Sequence, residues 1–231
     1  MKTSEPSGLA IAVFGLSLLA LLSPVLGNNE WVPVGVTSLL FGAVVLDRVA
    51  MQGRFTGLMG ARWGWTDIRQ ERVLYHEAGH LLAACCLDIP VLDYALDPWQ
   101  AFRKGYPGYG GIQLDDSVWQ GWLDSGSMTR RDVERYSIMW MAGGVAERQR
   151  MGDTMGDRDD RLKLQQLVGT LRRSGQPLDS GYMQRWARLQ ARSLLEEQAQ
   201  AYDVAVSCMR DGMEIEACLT SVKATLVQPQ L

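Results

Sequence analysis

The only two histidines among the 231 residues, His76 and His80, stand four positions apart in "LYHEAGHLLA", and Glu77 directly follows the first. On an α-helix, side chains at i and i+4 project from one face, one turn or about 6 Å apart. The spacing therefore predicts a helix here that presents both imidazoles together, where they can grip one metal ion. Chance would produce this arrangement from this composition roughly once in a few thousand chains. Two histidines on a helix can also simply hydrogen-bond to their neighbours, but that reading leaves the glutamate unexplained.

H-E-x-x-H supplies the residue types that a catalytic zinc site needs: nitrogen donors, a third protein ligand and one open position for water. Glu77 lies about 100° round the helix from His76, close to the ion but directed past it. From there it can take a proton from the zinc-bound water, whose pKa the metal lowers, and pass it to a leaving amine. Peptide hydrolysis is the reaction such a site suits best. Zinc is the expected metal, although Fe, Co, Ni and Mn accept the same imidazoles.

No histidine remains for the third ligand, which leaves a carboxylate or, less aptly, a cysteine. Glu147 on a predicted helix, and Asp153, Asp157, Asp159 and Asp160 in the acidic turn "GDTMGDRDD", are the candidates. The bland alternative for that turn is a solvated cluster of helix-capping charges.

The first fifty residues read as a separate unit. No charged residue occurs from Pro6 to Asn29, and an apolar stretch over about 8–27 is long enough to cross a bilayer as a helix. After "NNE", a second stretch over about 31–47 is marginally long enough. Lys2 precedes the first span, and Arg48, Arg54, Arg62 and Arg69 follow the second, so the positive-inside bias predicts a transmembrane hairpin with both ends cytoplasmic. Trp31, Trp63 and Trp65 suit an interfacial belt. A cleavable signal peptide ending at Gly27 is the rival reading; its basic n-region is thin and a second apolar segment follows at once. Residues 51–66 form a juxtamembrane connector, and 67–231 a single domain.

With 23 basic and 26 acidic residues and no basic stripe, nucleic acid is not an expected partner. Cys85, Cys86, Cys208 and Cys218 lack C-x-x-C spacing and lie in apolar helical sequence, so they read as small buried hydrophobes in a reducing compartment. The zinc-motif helix starts at Thr66 or Asp67 and stops before Pro90. Strands are expected at 91–96 and 110–115, joined by an aromatic loop at 97–109. A helix follows from a capping-box-like Thr129 and Asp132 to about Met151, with Gly143 and Gly144 in its interior suggesting close packing against another helix. Further helices are expected at about 161–172, 181–210 and 213–227. The fold class is mainly α (α+β), a helical domain with a small two- or three-stranded sheet behind a membrane hairpin.

At "YHEAGHLLAA" (75–84), "AGGVAER" (142–148), "MG" (151–152) and "TMGDRDD" (154–160), the sequence resembles the peptidase domain of the FtsH family of membrane-anchored zinc metalloproteases. The family reads G-G-x-A-A-E-E at the second block and T-T-G-x-x-N-D at the last; Arg148 replaces its second glutamate, and Asp159 its asparagine. The resemblance covers about residues 67–225. It implies a zincin-like peptidase in which His76, His80 and Asp160 bind zinc and Glu77 is the catalytic base, with Glu147 in reserve as a ligand. It also implies that an extended substrate segment can lie along an edge of the strand pair, a β-augmentation. Family members carry an ATPase module before the peptidase, yet no G-x-x-x-x-G-K-[ST] phosphate loop occurs in this chain. The expectation is an ATP-independent membrane endopeptidase, cytoplasmic side, like the stand-alone cyanobacterial and plastid members. Its partners would be unstructured protein or peptide segments and the lipid bilayer, with self-association left open. A non-proteolytic membrane adaptor or chaperone that keeps a structural zinc is the alternative.

Overall fold

The computed structural model describes residues 67–106, 110–115, 128–173 and 178–227, with scattered helical positions between 35 and 46 and between 117 and 125. The chain divides into two compact units, one of Met1–Trp65 with Phe102–Tyr109 and the other of Thr66–Ala101 with Gly110–Leu231. The apolar span over 8–27 and the connector over 51–66 lie outside the described residues. Of the span over 31–47, seven positions are described; all are helical and exposed, Leu39, Val45 and Leu46 among them. Among the described residues no helix is long and apolar enough to cross a membrane.

The described residues are mainly helical, with seven helices and one two-stranded antiparallel sheet. Helix α1 spans Asp67–Cys86 and buries Leu74, Ala78, Leu81, Leu82 and Cys85. Beyond it, Asp88 takes a left-handed turn at φ 50°, and Arg135 donates to the carbonyls of Leu87 and Asp88 at 2.7 and 2.6 Å. Those bonds satisfy carbonyls that a helix end leaves without partners.

Strands β1 (Val91–Ala95) and β2 (Gly111–Leu114) pair with Tyr94 opposite Ile112 and Ala95 opposite Gly111. The stretch between them is not wholly loop. Pro98–Lys104 forms a short helix, α2, because Asp97 accepts from the Gln100 N–H at 2.8 Å and Pro98 occupies a first-turn position that needs no N–H donor.

Helix α3 spans Arg130–Met151. Thr129 and Asp132 close a full capping box at its start, and Gly152 ends it in the left-handed region at φ 83°. Helix α4 runs Arg158–Arg173, three residues earlier than the sequence pattern suggests, so Asp159 and Asp160 lie in its first turn rather than in the preceding turn. Acidic residues there suit the positive end of the helix. The expected long helix over 181–210 is two helices, α5 (Ser180–Glu197) and α6 (Ala199–Arg210). The break falls at Gln198, whose side-chain amide exchanges two hydrogen bonds with the backbone of Val227 at 2.9 and 2.8 Å. Helix α7 (Ile215–Thr225) closes the domain against α6.

Helix α3 is sandwiched between α1 and α5, with α4 on its flank and α6 and α7 covering the other side of α1. The α1–α3 crossing is unusually close because small residues face each other. A Cβ added to Gly79 would stand 2.7 Å from Ala146 Cβ and 2.8 Å from the Ala142 carbonyl oxygen. Both partners sit on a buried helix that cannot yield easily. All four cysteines are free; Cys85, Cys208 and Cys218 are buried and Cys86 is half-buried.

Gly79→Ala is expected to destabilise the domain by about 1–3 kcal/mol despite the better helix propensity of alanine. Urea denaturation of the two proteins checks this, and unchanged stability would mean that the helices do not approach this closely.

Candidate metal centre

His76 and His80, one turn apart on α1, turn their rings toward α3 and meet edge to face with centroids 4.6 Å apart. The ring nitrogens divide cleanly. His80 Nδ1 donates to the Met139 carbonyl at 2.8 Å, and His76 Nδ1 faces Glu147 Oε2 at 3.4 Å. Both Nε2 atoms therefore point the same way, free to act as acceptors. They converge on one oxygen: Asp160 Oδ2 lies 3.0 Å from His76 Nε2 and 3.3 Å from His80 Nε2. A tetrahedral ion with ligands about 2.0–2.1 Å away holds its donor atoms about 3.3 Å from one another. Donor chemistry and spacing thus fit a divalent first-row ion, and all three side chains are buried.

Room for the rings comes from Gly143 on α3. A Cβ there would stand 2.7 Å from His76 Nε2 and closer still to His80 Nε2. Its neighbour Gly144 leaves space for the Asp157 side chain, whose Cβ would otherwise lie 2.7 Å away. The glycine pair is thus shaped by the site on one side and by the turn into α4 on the other.

The two leading carboxylates are separated. Asp160 is the one that joins the histidines, whereas Glu147 sits at the opposite nitrogen of His76. Glu147, named from the sequence as the reserve ligand, lies outside the group of three that could share an ion. Its carboxylate also accepts from Arg72 at 2.8 Å, Thr154 Oγ1 at 3.1 Å, and the backbone N–H groups of Met155 and Gly156 at 2.9 and 3.2 Å. With so many donors around both oxygens, it is placed to fix the orientation of the His76 ring. The other acidic candidates lie elsewhere. Asp153 is exposed and pairs with Arg72, Asp157 pairs with Arg161 and Arg188, and Asp159 is exposed.

Burial alone would push the His76 imidazole down, but the Asp160 and Glu147 carboxylates outweigh it and lift it to about 10. Burial acts upward on Asp160 too, yet the two imidazoles hold it well below the usual carboxylate range. Glu147 is held down to about 2 against its own burial, by His76, Arg72 and the two backbone N–H groups. The pocket favours positive charge, which a divalent ion could supply in place of the His76 proton.

Glu77 is half-buried and near enough to His76 for its charge to help raise that imidazole. Its Oε2 accepts from the Ile112 backbone N–H of β2 at 2.9 Å.

No family model and no curated protein matches this chain.

Several members of the site lay outside the sequence reading. Arg72 could have been found, since it stands four residues before His76 on the same helix face. The Met139 carbonyl and the N–H groups of Ile112, Met155 and Gly156 carry no residue-type signal at all.

Asp160→Ala and Gly143→Ala should both lose the metal, whereas Glu147→Gln should retain it with affinity weakened about 10- to 100-fold. Elemental analysis and chelator competition separate these outcomes. Because His76 gives up a proton that it holds up to about pH 10, apparent metal affinity should also rise about tenfold per pH unit between about pH 6 and 8. A flat profile in the same competition assay would contradict that electrostatic account.

Proposed function

We propose that this chain is an ATP-independent zinc metalloendopeptidase with an FtsH-like peptidase domain over residues 67–231, anchored by a membrane hairpin over residues 1–50 with the domain on the cytoplasmic side. The observation that carries the reading is the meeting of His76, His80 and Asp160 around one point while Glu77 stands beside them, bound to none of the three. A site that served only to staple helices would need the first three and nothing at position 77.

Zinc is favoured by the donor set, two imidazole nitrogens and a carboxylate oxygen, which is the make-up of catalytic zinc sites with one position left for water. When bound, the ion supplies a Lewis acid that brings a water's pKa toward neutrality and polarises a carbonyl. The chain's own residues do the rest. Glu77, with Oε2 held by Ile112, has Oε1 available to accept the proton of the attacking water and to return it to the departing amine nitrogen. Glu147 holds His76 at Nδ1, so the ring that would present Nε2 to the ion beside Asp160 cannot rotate out of line. The Met139 carbonyl does the same for His80.

The substrate class follows from the neighbouring sheet. The Ile112 N–H points away from β1 toward Glu77, so the outer edge of β2 runs beside the base. An extended peptide can add to such an edge through main-chain hydrogen bonds, which favours unstructured segments over folded domains. A membrane anchor would restrict these to segments of membrane or membrane-associated proteins.

Glu77→Gln should keep one zinc per chain and lower hydrolysis of a casein or peptide substrate by about 100-fold or more. Metal content and turnover, measured on the same preparations, test this together. Equal activity in parent and variant would refute the assigned chemistry; metal without turnover in both would favour the adaptor or chaperone reading.

A further inference from the structure

Glu77 is a half-buried carboxylate whose hydrogen-bond partner among the described residues is one neutral group, the Ile112 N–H at 2.9 Å. An ordinary glutamate at a helix surface is free to sample several rotamers. This one is tied to a strand. The strand is itself shaped for the purpose by Gly110 and Gly111, at φ 123° and 120°, where L side chains are rarely found. A Cβ at Gly110 would stand 2.6 Å from the Ala95 carbonyl oxygen, which would force β2 off β1. A Cβ at Gly111 would lie 3.4 and 3.5 Å from the two Glu77 oxygens, in ordinary contact, so the peptide comes right up against the carboxylate and it is the backbone angle that calls for glycine.

We infer that Gly110, Gly111 and the Ile112 peptide N–H form a seat that positions Glu77 as the base. This rests on the peptidase reading above and names the positioning residues of that site. The arrangement suits a proton carrier. A single neutral donor on Oε2 sets the direction of the carboxylate and leaves Oε1 unencumbered, whereas an arginine in the same place would engage both oxygens in a forked ion pair. The Ile112 N–H is also not needed by the sheet. Tyr94, opposite Ile112, sends its own N–H to the Asp93 side chain at 2.8 Å, away from β2, as expected for a pair without mutual ladder bonds. The donor is therefore available to Glu77 without loosening the hairpin, and misdirecting a reacting group by about 1 Å is enough to cost on the order of 100-fold in rate.

The test replaces the Ile112 peptide N–H by an ester oxygen, using the α-hydroxy acid analogue of isoleucine in the full chain. The expected result is one zinc per chain as in the parent, a melting temperature within a few degrees, kcat lowered about 10- to 100-fold and KM unchanged. Affinity for a peptide hydroxamate, read by calorimetry, should fall alongside kcat, since its hydroxyl hands a proton to the same carboxylate. A second arm does not depend on the ester: in Glu77→Ala, amide exchange at Ile112 should accelerate at least tenfold, with Gln113 unchanged. Parental kcat and hydroxamate affinity in the zinc-loaded ester variant would overturn the inference while leaving the peptidase reading intact, as would unaltered exchange at Ile112. A parent that binds zinc yet cleaves no peptide would overturn both.

Discussion

The Glu147 carboxylate ties together three parts of the chain that sequence separates widely. From α3 it holds Arg72 and His76 on α1, and it gathers the Thr154 hydroxyl with the N–H groups of Met155 and Gly156 from the turn that leads into α4. That turn delivers Asp160. A buried carboxylate is costly unless its lone pairs are met, and here donors reach both oxygens, two of them on cationic or potentially cationic groups. Removing the Arg72 guanidinium would break a largely buried ion pair, a change that typically costs about 3–5 kcal/mol. The geometry where His76, His80 and Asp160 meet is therefore inherited from a network one layer further out. Glu147, the fully buried glutamate beside His76, is the residue that keeps that ring in place.

That network works only because α1 and α3 lie so close. Gly79 admits Ala142 and Ala146, and Gly143 admits the two imidazoles, so the backbones approach at the level of the site. The glycines cost helix propensity, about 1 kcal/mol each relative to alanine. Burial of Leu81, Leu82, Met139, Val133 and their neighbours, at about 1.5–3 kcal/mol per large apolar side chain, more than offsets this. The core around the site thus supports a crossing that local propensity opposes.

What the sequence revealed follows the range of each signal. Helix α1 and the capping box of α3 were legible because each depends on residues within a few positions: a 3.6-residue period in one case, Thr129 and Asp132 in the other. The His76–His80 pair was legible for the same reason. The split between α5 and α6 was not, since its cause is a bond from Gln198 to Val227, twenty-nine residues away and between a side-chain amide and backbone. The third member of the cluster stood among five acidic residues that composition could not rank. Their roles are decided by the α4 start at Arg158, which turns Asp160 inward and leaves Asp159 outside. Ile112 was invisible in a stronger sense, because what matters there is a peptide N–H that any residue except proline would supply.

The position of Glu77 relative to the histidines has a consequence for the whole domain. Residues 76 and 80 share one face of α1 and must look at α3, where the second layer of the site lies. Residue 77 is rotated by about 100° and must look elsewhere. On the proposed peptidase reading, something has to stand on that second side to hold the carboxylate and leave an open approach for a substrate. Another helix would bury the glutamate behind side chains and close the approach. A strand edge avoids both, since it offers N–H groups at intervals along a line and leaves the space beyond its edge open to an extended chain. The small β1–β2 sheet thus packs on the side of α1 that carries Glu77, and its Ile112 N–H meets the carboxylate there.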